Sequence, residues 1–101
     1  MSVKTEITDG KITAYLSGEI DHHNAGPIRN EIDNALEKNH PEELVLDFSE
    51  VSFMDSSGIG LVMGRYKLLK ELGGRLIIRN APPAIKKVMK LAGIDLLATI
   101  F

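Results

Sequence analysis

Residues 53–60, Phe-Met-Asp-Ser-Ser-Gly-Ile-Gly, set two adjacent hydroxyls, Ser56 and Ser57, directly after the carboxylate of Asp55 and before Gly58 and Gly60. An apolar stretch over residues 44–48 precedes them, and residues 59–72 follow with apolar positions at helical spacing. A hydroxyl pair at a strand-to-helix junction has three possible uses. It can cap the helix, whose first turn leaves backbone N–H groups without partners. It can act as a nucleophile if a neighbouring base takes its proton. It can also accept a phosphoryl group, because a helix start offers N–H groups and the positive end of the peptide dipoles to an anion. Glycine in a helical turn costs about 1 kcal/mol relative to alanine, so stability alone does not account for Gly58 and Gly60. Lacking side chains, they leave the hydroxyls open to another protein's close approach.

The nucleophile reading recruits His22 or His23 as base and Asp21 or Asp55 as the orienting acid. Its flanks oppose it, because Met54 stands where the G-x-S-x-G elbow needs glycine. Asp21, His22, His23 and His40 are metal-ligand types. Adjacent histidines in an extended loop should point apart, however, and no further ligand follows at helical spacing. No metal and no cofactor is therefore expected. Gly58-Ile59-Gly60 lacks the third glycine of a dinucleotide fingerprint, and no G-x-x-x-x-G-K-[ST] occurs.

The 101 residues suit a single α/β domain spanning 1–101, with 44% hydrophobic and 26% charged residues. Twelve basic residues against fourteen acidic give a net charge of -2, which lacks the basic stripe of a nucleic-acid binder. There is no cysteine, so disulfides, thiolate metal sites and a catalytic thiol are excluded. The first residues carry no apolar leader core, and no apolar run is long enough to span a bilayer. A cytoplasmic protein without a membrane partner is the expectation.

The elements that must hold the hydroxyls follow from periodicity. Residues 3–7 and 12–17 alternate apolar and polar around Asp9-Gly10, which reads as a hairpin. A loop over residues 18–23 leads to Asn24 as N-cap of a helix with Ile28, Ile32, Ala35 and Leu36 inward, stopping at Asn39-His40-Pro41. The strand at 44–48 is apolar throughout, as a central strand covered on both faces should be. The second helix, 59–72, places Ile59, Val62, Tyr66, Leu69 and Leu72 on one stripe and Arg65, Lys67, Lys70 and Glu71 on the wet side. Gly73-Gly74 ends it, 75–79 forms the next strand, and Pro82-Pro83 opens a third helix with Ile85, Val88, Met89 and Ala92 inward. The lysines of that helix read as a solvated face, and residues 98–101 as a short last strand. The result is a mixed, mostly parallel β-sheet, a hairpin followed by strand–helix crossovers, packed with helices. Parallel strands send the Asp21 loop and the Ser56 loop to the same sheet edge, where open α/β sheets bind ligands and partners.

The segments Ser17-Gly18-Glu19-Ile20-Asp21-His22-His23, Phe53-Met54-Asp55-Ser56-Ser57-Gly58-Ile59-Gly60 and Gly64-Arg65-Tyr66-Lys67 resemble the bacterial anti-sigma factor antagonists, which share the STAS domain. The likeness covers nearly the whole chain, and the Asp-His-His loop makes it most like the sporulation branch. The resemblance implies a protein-binding switch rather than an enzyme. Its phosphoacceptor is the serine directly after the aspartate, Ser56. The unphosphorylated form would bind an anti-sigma factor that is also an ATP-dependent serine kinase, releasing the sigma factor, and a serine phosphatase would restore this binding-competent form. The partner face implied is Asp21, His22, Asp55, Ser56, Ser57, Gly58 and Ile59, with Ser57 capping the helix and Asp21 free to pair with a basic partner residue. The free protein is expected to be a monomer. The family's further helix after the last strand is expected to be absent from a chain ending at Phe101. A Ser/His/Asp hydrolase and a STAS scaffold within a larger signalling assembly are the rival classes.

Overall fold

Alternation of apolar residues along β1 (Ser2–Thr8) and β2 (Lys11–Ile20) produces the antiparallel hairpin, closed by a turn in which Gly10 takes a φ of 75°. The computed structural model describes residues 2–101, and the chain continues as α1 (Ala25–Asn39), β3 (Glu43–Met54), α2 (Ser56–Leu72), β4 (Arg75–Arg79), α3 (Pro83–Leu91), a 3-10 turn (Ile94–Leu96) and β5 (Thr99–Ile100). The sheet runs β1-β2-β3-β4-β5, with every pair after the hairpin parallel. This is the mixed, mostly parallel α/β sheet expected from the sequence, with β3 at its centre.

Period-two geometry gives the sheet two different faces. Ile12 stands beside Leu44 and Leu44 beside Leu76, and likewise Ala14 beside Leu46 and Leu46 beside Ile78, all of them buried. The inward residues of all three helices join this face: Ile28, Ile32 and Leu36 from α1, Leu61, Val62 and Leu69 from α2, Ile85 and Met89 from α3. On the reverse face a polar row crosses three strands, Tyr15 beside Asp47 beside Arg79. Arg79 Nε donates to Asp47 Oδ2 at 3.0 Å, Asn80 adds a second donor at 3.1 Å, and the Ser49 N–H bonds Oδ1 at 2.9 Å. Val45 and Asp47 are both buried, so the centre of β3 is shielded on each side.

Several boundaries differ from the sequence reading. β2 and β3 both run past their apolar stretches, to Ile20 and Met54, so residues 18–20 and 49–54 are strand rather than loop. Two register shifts, between Tyr15 and Ser17 and between Gly18 and Glu19, absorb the irregular composition, and Gly18 takes a φ of 84° at the second. Helix α2 begins three residues early, at Ser56. Arg65 is buried, with Nε 2.8 Å from Asp33 Oδ1 of α1, so it faces the neighbouring helix rather than water. Val88 and Ala92 are exposed, which leaves Ile85 and Met89 to anchor α3.

The Asp47 cluster yields a pH prediction. Burial pushes its carboxyl up, but hydrogen bonds from Ser49, Arg79 and Asn80 outweigh burial and hold it below the ordinary value of 3.8. A carboxyl depressed by folding contributes stability in full above that ordinary value and loses it as pH falls through the folded value. Urea unfolding of the wild type should therefore show stability declining below pH 3.8. Asp47→Asn should be weaker at neutral pH by roughly 1–3 kcal/mol and show a flatter acid limb.

Candidate phosphoacceptor and docking site

The β2–β3 pairing brings the two loops of interest together. Ile20 and Met54 are register partners, and the Asp55 N–H donates to the Ile20 carbonyl at 3.2 Å. Beyond this bond the chain turns into α1 on one side and α2 on the other, so the Asp21 and Ser56 segments share one sheet edge.

Asp55 starts α2. Its backbone is extended (φ -102°, ψ -167°), and Oδ1 accepts the Ser57 N–H at 2.8 Å, while the Gly58 N–H bonds the Asp55 carbonyl at 3.0 Å. The helix cap is thus the carboxylate of Asp55, and the expectation that Ser57 caps is corrected. A carboxylate two residues before the N–H reaches it with a short side chain and adds negative charge at the positive helix end. Ser57, at the second helical position, already lies inside the turn.

This arrangement leaves Ser56 at the first position of α2, exposed, its side chain without a hydrogen-bond partner among the described residues. Ser57 and Ile59 are half-buried. Gly58 is buried, and a Cβ there would overlap the Met54 side chain and sit 3.3 Å from Ile20 Cγ2. Gly58 is therefore a packing requirement rather than a device for baring the hydroxyls. Gly60 is exposed, and a Cβ built on it meets nothing within 4 Å.

Asp21 plays on its own loop the part that Asp55 plays on α2. Its Oδ1 accepts the N–H groups of His23 and Asn24, each at 3.0 Å. Asn24 occupies the N-cap position of α1 but makes no side-chain cap; its amide donates instead to the Glu19 carbonyl at 3.1 Å. One oxygen of Asp21 is thus committed to the turn, so the reading of Asp21 as a free partner for a basic residue holds only for the other. His22 and His23 are exposed, and their rings lie 3.9 Å apart at a tilt of 39°, because the segment is a tight turn rather than the extended loop expected. Neither histidine hydrogen-bonds to Ser56 among the described residues, and both nearby aspartates hold backbone N–H groups. A base poised on the hydroxyl is missing from this geometry, which removes the support for the hydrolase reading.

Sequence reasoning missed Phe53, which stands half exposed at this edge, and the groove between α1 and α2 that opens beside Ser57. The unexplained Gly64 was the available signal for the groove.

Asp55→Ala should cost about 1 kcal/mol of stability through loss of the cap, with Asp55→Asn close to wild type, both measured by thermal unfolding. Asp21→Lys should also cost about 1 kcal/mol, since it removes the acceptor for two turn N–H groups. Unchanged stability in both would show that these oxygens do not hold the turns.

Known proteins share this framework. The STAS domain model matches residues 2–101. An anti-sigma F factor antagonist from Paenibacillus polymyxa is 32% identical over 101 residues, covering 100% of this chain and 86% of the relative. The solved structure of the anti-sigma factor antagonist SpoIIAA in its unphosphorylated form superposes with a TM-score of 0.85 at 33% identity, covering 99% of this chain and 88% of the other. The Bacillus cell fate determinant SpoIIAA in its phosphorylated form gives 0.78 at 34% identity, covering 99% and 91%. With the family model spanning all but the first residue, and with the sheet order and the Asp55-capped α2 described above, this chain belongs to the STAS domain family.

Proposed function

We propose that this chain is an anti-sigma factor antagonist of the sporulation type, switched by phosphorylation of Ser56. Its unmodified form binds an anti-sigma factor that is also an ATP-dependent serine kinase, and binding releases the sigma factor. A serine phosphatase reverses the modification. The observation that carries this reading is Ser56 itself: exposed at the first position of α2, without a side-chain partner among the described residues, beside a carboxylate already engaged by the Ser57 N–H. The names of the similar proteins support it, since one is described as an anti-sigma F factor antagonist and another has been solved in a phosphorylated form.

The physics of the switch lies at the interface. A phosphate adds nearly two negative charges to an oxygen facing solvent. The α2 N–H groups favour it by roughly 0.3–1 kcal/mol, and the adjacent Asp55 carboxylate opposes it. These local terms nearly offset, so the domain keeps its fold. A partner surface shaped for a bare hydroxyl must instead desolvate the phosphate. Leaving such a charge buried and unpaired costs several kcal/mol, which corresponds to a loss of about a hundredfold or more in affinity. The Asp21 turn with His22, on the same edge, supplies the second part of the partner face.

The test is incubation of the full chain with ATP and the purified anti-sigma F factor of Paenibacillus polymyxa, with the antagonist of that organism as positive control, followed by intact mass and peptide mapping. One phosphate on Ser56 is the expected result. Phosphate on Ser57 alone, or none while the control is modified, would refute it. Ser56→Ala should bind the kinase as the wild type does and resist inactivation. Ser56→Asp should bind about a hundredfold more weakly with an unchanged melting temperature.

A further inference from the structure

Alongside the Ser56 segment, α1 and α2 enclose a groove of about 610 Å³ whose lining contains no carboxylate. Its polar side chains are His22, Arg29, Ser57 and Arg65. Gly60 and Gly64 lie one turn apart on its α2 wall, and a Cβ built on either meets nothing within 4 Å. Both sit in ordinary helical backbone, so neither conformation nor internal packing asks for glycine there, and each weakens the helix. What the pair does is leave the α2 backbone bare along the groove.

Arg65 is a second, independent sign. It is only 6% exposed, yet its Nη1 is buried without a hydrogen-bond partner among the described residues, and its Nε approaches Asp33 Oδ1 without hydrogen-bond alignment. A buried guanidinium with a spare donor calls for an acceptor that the folded chain does not supply. Burial lowers the Arg65 pKa against the opposing pull of Asp33, and the charge of Arg29 lowers it further. Among the described residues, the charges acting on the Arg65 guanidinium are thus the Asp33 carboxylate and Arg29, which is exposed at the rim. From Ser57 to Arg65 the groove follows α2 for about 12 Å by helical rise. That is longer than one oxyanion and suits a stretch of extended backbone.

We propose that this groove docks an acidic segment of the kinase that recognises Ser56, with an Asp or Glu side chain paired to Arg29 and Arg65 and its backbone laid against Gly60 and Gly64. The inference rests on the reading of Ser56 as phosphoacceptor and names the chemistry of its partner. Guanidinium groups match carboxylates in a two-pronged geometry. Continuity with Ser57 puts the groove and the phosphoacceptor within one footprint, so the segment would deliver the kinase to its serine.

The experiment measures affinity of the full chain for the same anti-sigma F factor by titration calorimetry at low and high salt. Arg29→Glu should weaken binding about tenfold or more at low salt and flatten the salt dependence, with Arg29→Lys retaining most of the affinity. Gly64→Leu should weaken binding comparably by filling the groove, while its melting temperature stays at or above that of the wild type. If the kinase phosphorylates the wild type on Ser56 while unmodified Arg29→Glu and Gly64→Leu bind it within twofold of unmodified wild type, the groove assignment alone is overturned. A wild type left unmodified on Ser56 would overturn the earlier reading and this one with it. Inorganic phosphate is titrated as a separate arm. Saturable binding that Arg29→Glu abolishes, with kinase affinity unchanged, would assign the groove to a free anion and reject the acidic segment.

Discussion

Parallel pairing of β2 with β3 runs beyond the apolar centre of the sheet to Ile20 and Met54, and the next backbone bond, from the Asp55 N–H to the Ile20 carbonyl, fixes the two following turns against each other. Everything at the candidate site depends on that extension. It sets Met54 and Ile20 as the surface against which Gly58 packs, which in turn fixes how closely the first turn of α2 approaches the sheet. It also occupies the Asp55 N–H, so the residue enters the helix in extended backbone with its carboxylate turned toward the Ser57 N–H. A one-residue slip in this register would exchange faces along the whole strand. The two shifts near Gly18 therefore matter as much as the apolar core, because they end the ladder in the phase the turns require.

The same solution appears on both turns. Asp21 and Asp55 each use a short carboxylate to hold backbone N–H groups that a helix or turn start leaves unpaired. With the acids so engaged, the hydroxyls are free of structural duty. Ser56 faces solvent at the helix start because Asp55, not a serine, supplies the cap. The glycines divide in a comparable way. Gly58 is required by Met54 and Ile20, whereas Gly60 and Gly64 answer to nothing within the chain.

Most of the framework was legible in the residues, and the reasons for the exceptions are physical. Asp9-Gly10, the Asn39-His40-Pro41 stop, Gly73 and the strand at 75–79 all stand where turn chemistry and periodicity put them. The extended ends of β2 and β3 were hidden because Glu50, Ser52 and Phe53 are exposed, so the segment lacks the apolar run by which a central strand is recognised. Arg65 reads as a wet-face residue from its charge alone. Its ion pair with Asp33 lies across two helices, and nothing in the local spacing shows which helices become neighbours. The choice of cap between Asp55 and Ser57 is hidden in the sequence for a subtler reason. Both are good capping residues, and the choice turns on backbone torsions that the strand extension imposes. The proposed phosphoacceptor position, by contrast, rests on one residue's place after an acid, and that order survives any shift of helix boundary.

Why a modification here should act outward rather than inward follows from the same arrangement. An oxygen that holds no internal hydrogen bond can be esterified without releasing any group it previously satisfied. Had Ser56 been the cap, phosphorylation would have replaced a helix-start acceptor with a bulkier, more charged one and altered the first turn of α2 itself. Because Asp55 carries that role, a phosphate on Ser56 would add its charge at the rim of the proposed docking edge and leave the ladder, the Gly58 packing and both turns in place. On the proposed switch the fold would serve as a rigid mount, and the change in free energy would be felt only by what presses against it. A face built this way could be reset many times without unfolding, which is the requirement for a reversible switch of the proposed kind.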